Sequence, residues 1–204
     1  MPKYQSGFRR FHSTETAVLR VLSDVLVATE SDKISLVALL DVSAAFDTID
    51  HEILLQWLSI SYGVKDQVLH WFESFVSTRT LTVNFCGSSS ATVPVRYGIP
   101  QGSVLGPLLY VLYTSEVSSL VASAGLRGHL YADDTQLYGH DSPINAAALA
   151  SKTLAAIAQV RAWMSSNRLR LNQDKTQFVW FGTPHRLAVF LPPATFANSA
   201  TLSD

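Results

Sequence analysis

The stretch GHLYADDTQLYG (Gly128–Gly139) places two adjacent acidic residues, Asp133 and Asp134, between two short runs of strand-forming residues. Aspartate is depleted in β-strands, and neighbouring carboxylates repel each other. Successive side chains of a strand point to opposite faces, so both can approach one ion only where the chain turns. Because aspartate tolerates turn geometry, the stretch predicts a β-hairpin with the acidic pair at its tip. A plain polar turn is the alternative.

A third carboxylate comes from the nearly continuous apolar run KISLVALLDV (residues 33–42). Such a run predicts a strand buried on both faces, with Asp41 at its C-terminal end. A carboxylate there is costly unless something pairs with it, and no basic residue lies between Lys33 and Lys65. A divalent cation is therefore the simplest partner. We expect Asp41 and Asp133 to lie on adjacent strands, within reach of one ion.

Oxygen ligands without histidine or thiolate favour a hard cation, Mg²⁺ with Mn²⁺ as a substitute. Two such ions ~4 Å apart can activate a hydroxyl and stabilise both oxygens of an in-line phosphoryl displacement. The only cysteine, Cys86, excludes an internal disulfide and a cysteine-based zinc site.

The remaining pattern predicts an α+β fold, in which an antiparallel sheet carries helices on one face. Asp50 and Asp66 are predicted to cap helices that run to Leu58 and Val76. The other predicted elements are a helix over 13–29, a hairpin over 80–98 with its turn near Gly87, a helix over 103–125 ending at Gly125, a long helix starting at Ser142 and Pro143, and a strand over 175–182.

The composition, with 204 residues and 48% apolar residues, supports a sizeable core. A net charge of −1 argues against a protein that coats nucleic acid nonspecifically. The longest uncharged stretch, 97–115, is too polar and too interrupted by proline and glycine for a transmembrane helix, and the N-terminus has no apolar signal segment. We therefore expect no membrane partner and an intracellular location, in the nucleus or cytoplasm.

The charges are unevenly distributed along the chain, because four acids and no base lie between Lys33 and Lys65, whereas bases predominate between Arg161 and Arg186. An acidic centre with a separate basic segment suits a metal site that handles a polyanion. Ordinary surface charge is the alternative. The basic segment contains Arg161, Arg168, Arg170, Lys175 and Arg186, with Asp174 as its only acid.

Four blocks resemble, in order and spacing, the palm motifs of reverse transcriptases: LLDVSAAFDTIDHEILL (39–55), YGIPQGSVLGPLLYVLY (97–113), YADD (131–134) and NRLRLNQDKTQFVWFG (167–182). The segment QSGFRRFHSTETAVLRVLSDV (5–25) is similar to the fingers of jockey-like non-LTR retrotransposons. The resemblance implies a right-hand polymerase palm with partial fingers. Its parts would be partial fingers over 1–32, a palm with inserted fingers elements over 33–182, and a linker or truncated start of a thumb over 183–204.

The resemblance also implies the metal site. Asp41, Asp133 and Asp134 would be catalytic metal ligands for two Mg²⁺ ions, and the backbone carbonyl of Val42 would be an auxiliary ligand. Lys175 would be a general acid near the departing pyrophosphate. A solvated lysine at a strand start is the alternative for Lys175.

Three further residues would contact the nucleotide. Phe46 resembles the steric gate beneath the sugar 2′ position, with core packing as its alternative. Gln101 and Gly102 resemble the loop that approaches nucleotide and template, where glycine lets the backbone come close to a ligand. Asp47 has no predicted role, and His51 is predicted to be a helix-surface residue.

The implied function is RNA-directed DNA polymerisation, with an RNA template, a DNA primer and deoxynucleoside triphosphates (dNTPs) as partners. By resemblance, upstream fingers and a thumb would flank this segment in a larger element protein, so we expect little sustained synthesis from the chain alone. One alternative is an inactive remnant that at most binds nucleic acid or protein. A template-dependent RNA polymerase is the other, and Phe46 disfavours it because ribonucleotides need room at the 2′ carbon.

Overall fold

The computed structural model describes residues 4–189, so most of the predicted linker or thumb segment lies outside the described residues. The helices are α1 (Thr14–Glu30), α2 (His51–Ile60), α3 (Asp66–Val76), α4 (Leu105–Tyr113), α5 (Val117–Ser123), α6 (Ala146–Ser166) and α7 (Pro184–Val189), with a 3-10 turn at Pro143–Asn145. The strands are β1 (Ile34–Val42), β2 (Thr80–Leu81), β3 (Asn84–Phe85), β4 (Ser88–Ser89), β5 (Val93–Pro94), β6 (Arg127–Tyr131), β7 (Asp134–Asp141) and β8 (Leu171–Phe181).

The centre of the fold is a four-stranded antiparallel sheet in the order β6-β7-β1-β8. The predicted central strand is confirmed as β1, which is buried along nearly its whole length. Since β1 pairs with both β7 and β8, its C-terminal end lies beside the YADD block (131–134) and the block 167–182. This sheet confirms the α+β class.

The prediction that helices cover one face of the sheet needs a correction. The main core joins the β1 residues Leu36, Ala38 and Leu40 to α6 and to the helices before β6. On the opposite face, Val37 packs in a second cluster that includes Val25 of α1. A strand that is apolar on both faces requires cover on both, and α1 supplies it at one end.

The hairpin over 80–98 has the predicted turn, since Phe85 pairs with Ser88 around Cys86 and Gly87. Both turn residues have positive φ, at +47° and +78°, as a two-residue turn of the I′ type requires.

Three predicted boundaries change. The helix over 103–125 is two helices, because the chain turns between Tyr113 and Val117, where the Thr114 hydroxyl bonds back to the Tyr110 carbonyl. The predicted strand over 175–182 begins earlier, at Leu171. The predicted cap of α3 is wrong, since Lys65 occupies the N-cap position and makes no side-chain cap bond.

Leu105–Ser123 is long and apolar enough, by length and composition alone, to cross a membrane. In this fold Leu109, Val117 and Val121 are fully buried in the main core. Core packing therefore accounts for the apolar character of the segment.

Candidate active site

The acidic pair lies at the tip of the β6–β7 hairpin, as predicted. Tyr131 pairs with Asp134, which leaves Ala132 and Asp133 as a two-residue turn. Ala132 has a φ of +56°, in the left-handed region. In the turn, successive side chains need not point to opposite faces as they do in a strand, and so both carboxylates can lie on the same side of the hairpin tip.

Asp41 approaches this tip from the adjacent strand. The β1–β7 register pairs Leu40 with Thr135, one position before Asp41 and one after Asp134. Both acids, together with Lys175, line a cavity of about 300 Å³. Hence the strand end and the hairpin tip meet at one place, from elements that are more than 90 residues apart in sequence.

The electrostatics of the site reflect this proximity. Burial raises the pKa of the Asp134 carboxyl, and the charges of Asp133 and Asp41 raise it further, against the lowering effect of Lys175. The pKa of the buried Tyr110 phenol is also raised, first by burial and then by the same three carboxylates. Mutual repulsion among carboxylates is the condition in which a bound cation gives the largest stabilisation.

Lys175 reaches Asp41 because β8 is irregular opposite the end of β1. β1 advances two residues from Leu39 to Asp41, while β8 advances five from Asn172 to Gln177. The extra residues form a bulge, in which the Thr176 hydroxyl bonds to the Asn172 carbonyl. The Lys175 Nζ lies 3.6 Å from the Asp41 Oδ2. Bulges commonly redirect a side chain beside an active site, and this one directs the Lys175 ammonium group toward Asp41.

The predicted ligands suit a hard divalent cation, since all of them are carboxylate or carbonyl oxygens. Within residues 4–189, however, no three histidine, cysteine or acidic side chains lie close enough to hold one ion. The elements that carry the carboxylates meet as expected, and the sharing of one ion by Asp41 and Asp133 stays a prediction. Val42 is buried and pairs with Leu171 of β8, and the role of its carbonyl as a ligand stays a prediction.

Phe46 lies between Phe8 of the N-terminal segment and the buried Tyr110. Its ring stacks on Tyr110 at a centroid distance of 5.0 Å and meets the Phe8 ring edge-on at 6.5 Å. Phe46 is half-buried and packs against the main core. The ring is thus held on both sides, next to a tyrosine that experiences the field of the three carboxylates.

The Gln101–Gly102 loop is tethered to the segment after β1. The Gln101 side-chain amide donates to both carboxylate oxygens of Asp47, at 3.2 and 3.3 Å. This contact gives Asp47 a structural role that the sequence did not indicate. Gly102 has a φ of +80°, and nothing lies within 4 Å of where a Cβ would stand. The backbone at Gly102 is therefore open to a ligand.

Sequence reasoning missed a clamp on the hairpin tip. The buried Gln5 accepts hydrogen bonds from Ala132 N–H (3.1 Å) and Gly7 N–H (2.7 Å), and its amide donates to the Ala132 carbonyl (3.2 Å). A Cβ on Gly7 would stand 2.1 Å from the Ala132 nitrogen, so only glycine fits there. The sequence QSG carries both residues, but it contains no signal that they meet residue 132.

The prediction for His51 is wrong, because His51 is buried. Its Nε2 lies 2.8 Å from the Gly98 carbonyl, which also accepts from Arg79 at 2.6 Å. Gly98 has a φ of +83°, and a Cβ there would meet the Asp47 backbone at 2.9 Å. These contacts fix the loop that leads to Gln101.

A four-stranded antiparallel sheet with carboxylates at a hairpin tip and at the facing strand end is the architecture of a polymerase palm. The model of the family "Reverse transcriptase (RNA-dependent DNA polymerase)" matches residues 1–191. The chain belongs to this reverse transcriptase family.

Among curated relatives, the RNA-directed DNA polymerase from the mobile element jockey of Drosophila melanogaster is 33% identical, over 89% of this chain and 20% of the relative. The probable RNA-directed DNA polymerase from transposon BS of the same organism is 31% identical, over 86% of this chain and 20% of the relative. The chain is thus homologous to retrotransposon polymerases, as predicted. It spans about a fifth of the length of these relatives.

Solved structures agree on the fold. Apo telomerase from Candida tropicalis, truncated from its C-terminal domain, superposes with a TM-score of 0.66 at 14% identity, over 87% of this chain and 36% of that chain. Telomerase from Candida albicans gives a TM-score of 0.63 at 14% identity, over 82% and 30%. Reverse transcriptases generally use divalent metal ions, in keeping with the oxygen donors found here.

Proposed function

We propose that this chain is the catalytic palm of an RNA-directed DNA polymerase. In the reaction, the 3′-hydroxyl of a DNA primer on an RNA template attacks the α-phosphate of a dNTP, and pyrophosphate leaves. Two divalent ions, Mg²⁺ or Mn²⁺, when bound by Asp41, Asp133, Asp134 and the Val42 carbonyl, would supply charge neutralisation for this displacement. The predicted intracellular location, in nucleus or cytoplasm, remains part of this proposal.

One observation supports the proposal most: Asp41 and Asp134 line one cavity with Lys175, although they come from three different motifs. Electrostatic stabilisation by pre-positioned groups is usually the largest catalytic contribution, and it requires that such groups be placed before the substrate arrives. The bulge in β8 and the clamp on Ala132 place these groups without any substrate.

The side chains around the cavity have separate roles in this proposal. Lys175 would donate a proton to the leaving pyrophosphate, because its ammonium group already lies beside the acidic centre. Phe46 would exclude a 2′-hydroxyl, since its ring is held between Phe8 and Tyr110 and cannot easily move aside. Gln101 and Gly102 would contact the nucleotide and template.

Primer extension tests the proposal. We would replace the matching segment of the jockey relative with residues 1–191 and measure dNTP incorporation on a primed RNA template with Mg²⁺ or Mn²⁺. The expected result is synthesis that Asp133→Asn abolishes, with little sustained synthesis from the 204-residue chain alone. A folded chimera that incorporates no nucleotide would favour the alternative, a noncatalytic binding module.

A further inference from the structure

A second cavity, of about 710 Å³, lies between the end of α6 and the start of β8. Arg161, Arg168 and Arg170 line it, and Asp174 is the one acid among its lining residues. Ser43 and Asn172 form the side nearest the carboxylates, since Asn172 is the β8 partner of Asp41. The cavity is therefore basic, and it adjoins the candidate active site.

The local sequence explains why these arginines point outward. In the segment NRLRL (167–171), Leu169 and Leu171 are buried while Arg168 and Arg170 are exposed. Arg168 has a φ of +58° in the turn that ends α6, where the Leu169 N–H bonds back to the Met164 carbonyl, so that turn and the burial of both leucines leave the two arginines on the surface. Asn167 fixes the start of the segment, because its side-chain oxygen accepts from the Trp57 indole at 2.9 Å and its backbone carbonyl accepts from the Tyr113 hydroxyl at 2.6 Å.

The positive charge of the cavity is not neutralised internally. Within residues 4–189, the guanidinium groups of Arg161, Arg168 and Arg170 make neither hydrogen bonds nor ion pairs. Elsewhere on the described surface, Arg127 and Arg186 are paired with Asp24 and Asp32. A group of like charges without counterions is typical of a surface that binds a polyanion.

The basic surface extends beyond this cavity. Arg168 also lines a neighbouring cavity of about 510 Å³, which contains Arg96 and Tyr97. Tyr97 is 55% exposed, so its ring is accessible to a ligand. The acids of this second cavity are Asp50 and Glu52, and the Asp50 carboxylate is engaged as the N-cap of α2. Arg79, which is also in the lining, is engaged by the Gly98 carbonyl.

We propose that the two cavities, joined at Arg168, form one groove that binds a single strand of nucleic acid. The arginine groove, as we name it, comprises Arg161, Arg168, Arg170, Arg96 and Tyr97. The arginines would contact backbone phosphates, and a base would stack on Tyr97. This proposal rests on the proposed function, because the groove offers a strand a path to the carboxylates.

A strand fits this surface better than a small phosphate ligand does. One cavity would be enough for a pyrophosphate-sized anion, whereas the basic surface continues across two. An exposed aromatic ring beside a basic groove is the usual design for binding single strands without sequence preference, since every base has a face to stack. Backbone contacts and stacking together predict binding that depends on salt and on Tyr97.

The first experiment measures the phosphate contacts. Fluorescence anisotropy would follow the wild-type chain binding a labelled 20-nucleotide single strand, as RNA and as DNA, in EDTA and without dNTPs. Arg161→Gln combined with Arg170→Gln should weaken binding at least fivefold and lower the slope of log K against log salt by roughly 1.4, as expected for two lost contacts to a single strand. The matched control, Lys33→Gln with Lys65→Gln, has the same net charge and should change binding less than twofold.

The second experiment isolates stacking. Tyr97→Ala should weaken binding about tenfold, in line with ~1–3 kcal/mol per stacked base, while Tyr97→Phe should bind like wild type. All of these substitutions are at exposed residues, and thermal unfolding of each variant would verify that it is folded.

Three results would overturn the proposal: no binding by wild type at low salt, equal losses in the arginine and lysine pairs, or a strand site that pyrophosphate blocks while Tyr97→Ala has no effect. Failure of the proposed function gives a different result. Asp133→Asn should lose synthesis and yet keep strand binding in EDTA. An inactive chimera with intact strand binding would therefore contradict the proposed polymerase function but not the arginine groove.

Discussion

Gln5 offers the most direct test of how the acidic hairpin tip is held. Its side chain makes three hydrogen bonds, two of them to Ala132 in the turn between β6 and Asp134. Gln5→Ala removes all three and leaves the buried Gly7 N–H without its partner. The tip should then move relative to Asp41, although no ligand-contacting residue has changed.

The size of the effect follows from these bonds. Each hydrogen bond contributes ~1 kcal/mol net, and a buried N–H without a partner costs ~1–3 kcal/mol. Water can reach Ala132, which is half-buried, and this offsets part of the cost. We therefore expect a loss of roughly 3 kcal/mol, which corresponds to about a hundredfold faster local opening.

Hydrogen–deuterium exchange of the chain, read on peptides that cover residues 128–139, measures this opening. Gln56→Ala, at an exposed position on α2, is the matched control and should leave exchange at the hairpin unchanged. Gln5→Glu keeps the acceptors but places a carboxylate against the Ala132 carbonyl, so it should accelerate exchange at least as much as Gln5→Ala. Unchanged hairpin protection in both Gln5 variants would refute the clamp.

Three further substitutions test separate parts of the structure. Phe46→Ala should admit ribonucleotides in primer extension by the chimera while deoxynucleotide use falls less, at a folding cost of roughly 2 kcal/mol because the ring is only half-buried; equal losses for both sugars would leave Phe46 a packing residue. Gly98→Ala should destabilise the chain by about 1–3 kcal/mol more than Gly87→Ala in urea unfolding, since both have positive φ but only the Gly98 Cβ would meet backbone atoms. His129→Gln should reduce the loss of stability that the wild-type chain shows below about pH 6.5. Burial, and then the nearby Arg20 and His12, lower the pKa of His129. The unfolded chain therefore takes up a proton that the folded chain does not, and the stability falls as the pH drops from the ordinary pKa of 6.5 toward the folded pKa. An unchanged pH profile of urea unfolding in this variant would exclude His129 as the source.

Short-range patterns were enough to predict the elements that carry the carboxylates. The apolar run before Asp41 predicted a strand buried on both faces, because a short, nearly continuous apolar run has few other interpretations. The acids of the YADD stretch predicted a turn, because their conflict with strand geometry has few other solutions. Asp50 was correctly predicted as a helix cap, since its side chain accepts from the N–H groups of Glu52 and Ile53.

Contacts between distant segments could not be read from these patterns. The Gln5–Ala132 clamp joins residues 127 positions apart, and nothing in QSG distinguishes a clamp from an exposed polar turn. His51 was misplaced for a similar reason, because its burial depends on the Gly98 loop arriving from another part of the chain. The bulge that directs Lys175 toward Asp41 depends on the β1–β8 register, which has no local signal.

The uneven distribution of charge along the sequence acquires a physical meaning through this same pairing. A polyanion can approach a group of carboxylates only if positive charge compensates for the repulsion. β1 delivers Asp41, and its partner β8 delivers Lys175 to that carboxylate. The Arg170 carbonyl, just before β8, accepts from the Ser43 N–H just after β1, so the basic side chains begin where the acidic strand ends. Separation of acids and bases in sequence thus becomes adjacency in space, because antiparallel pairing brings the end of β1 to the start of β8.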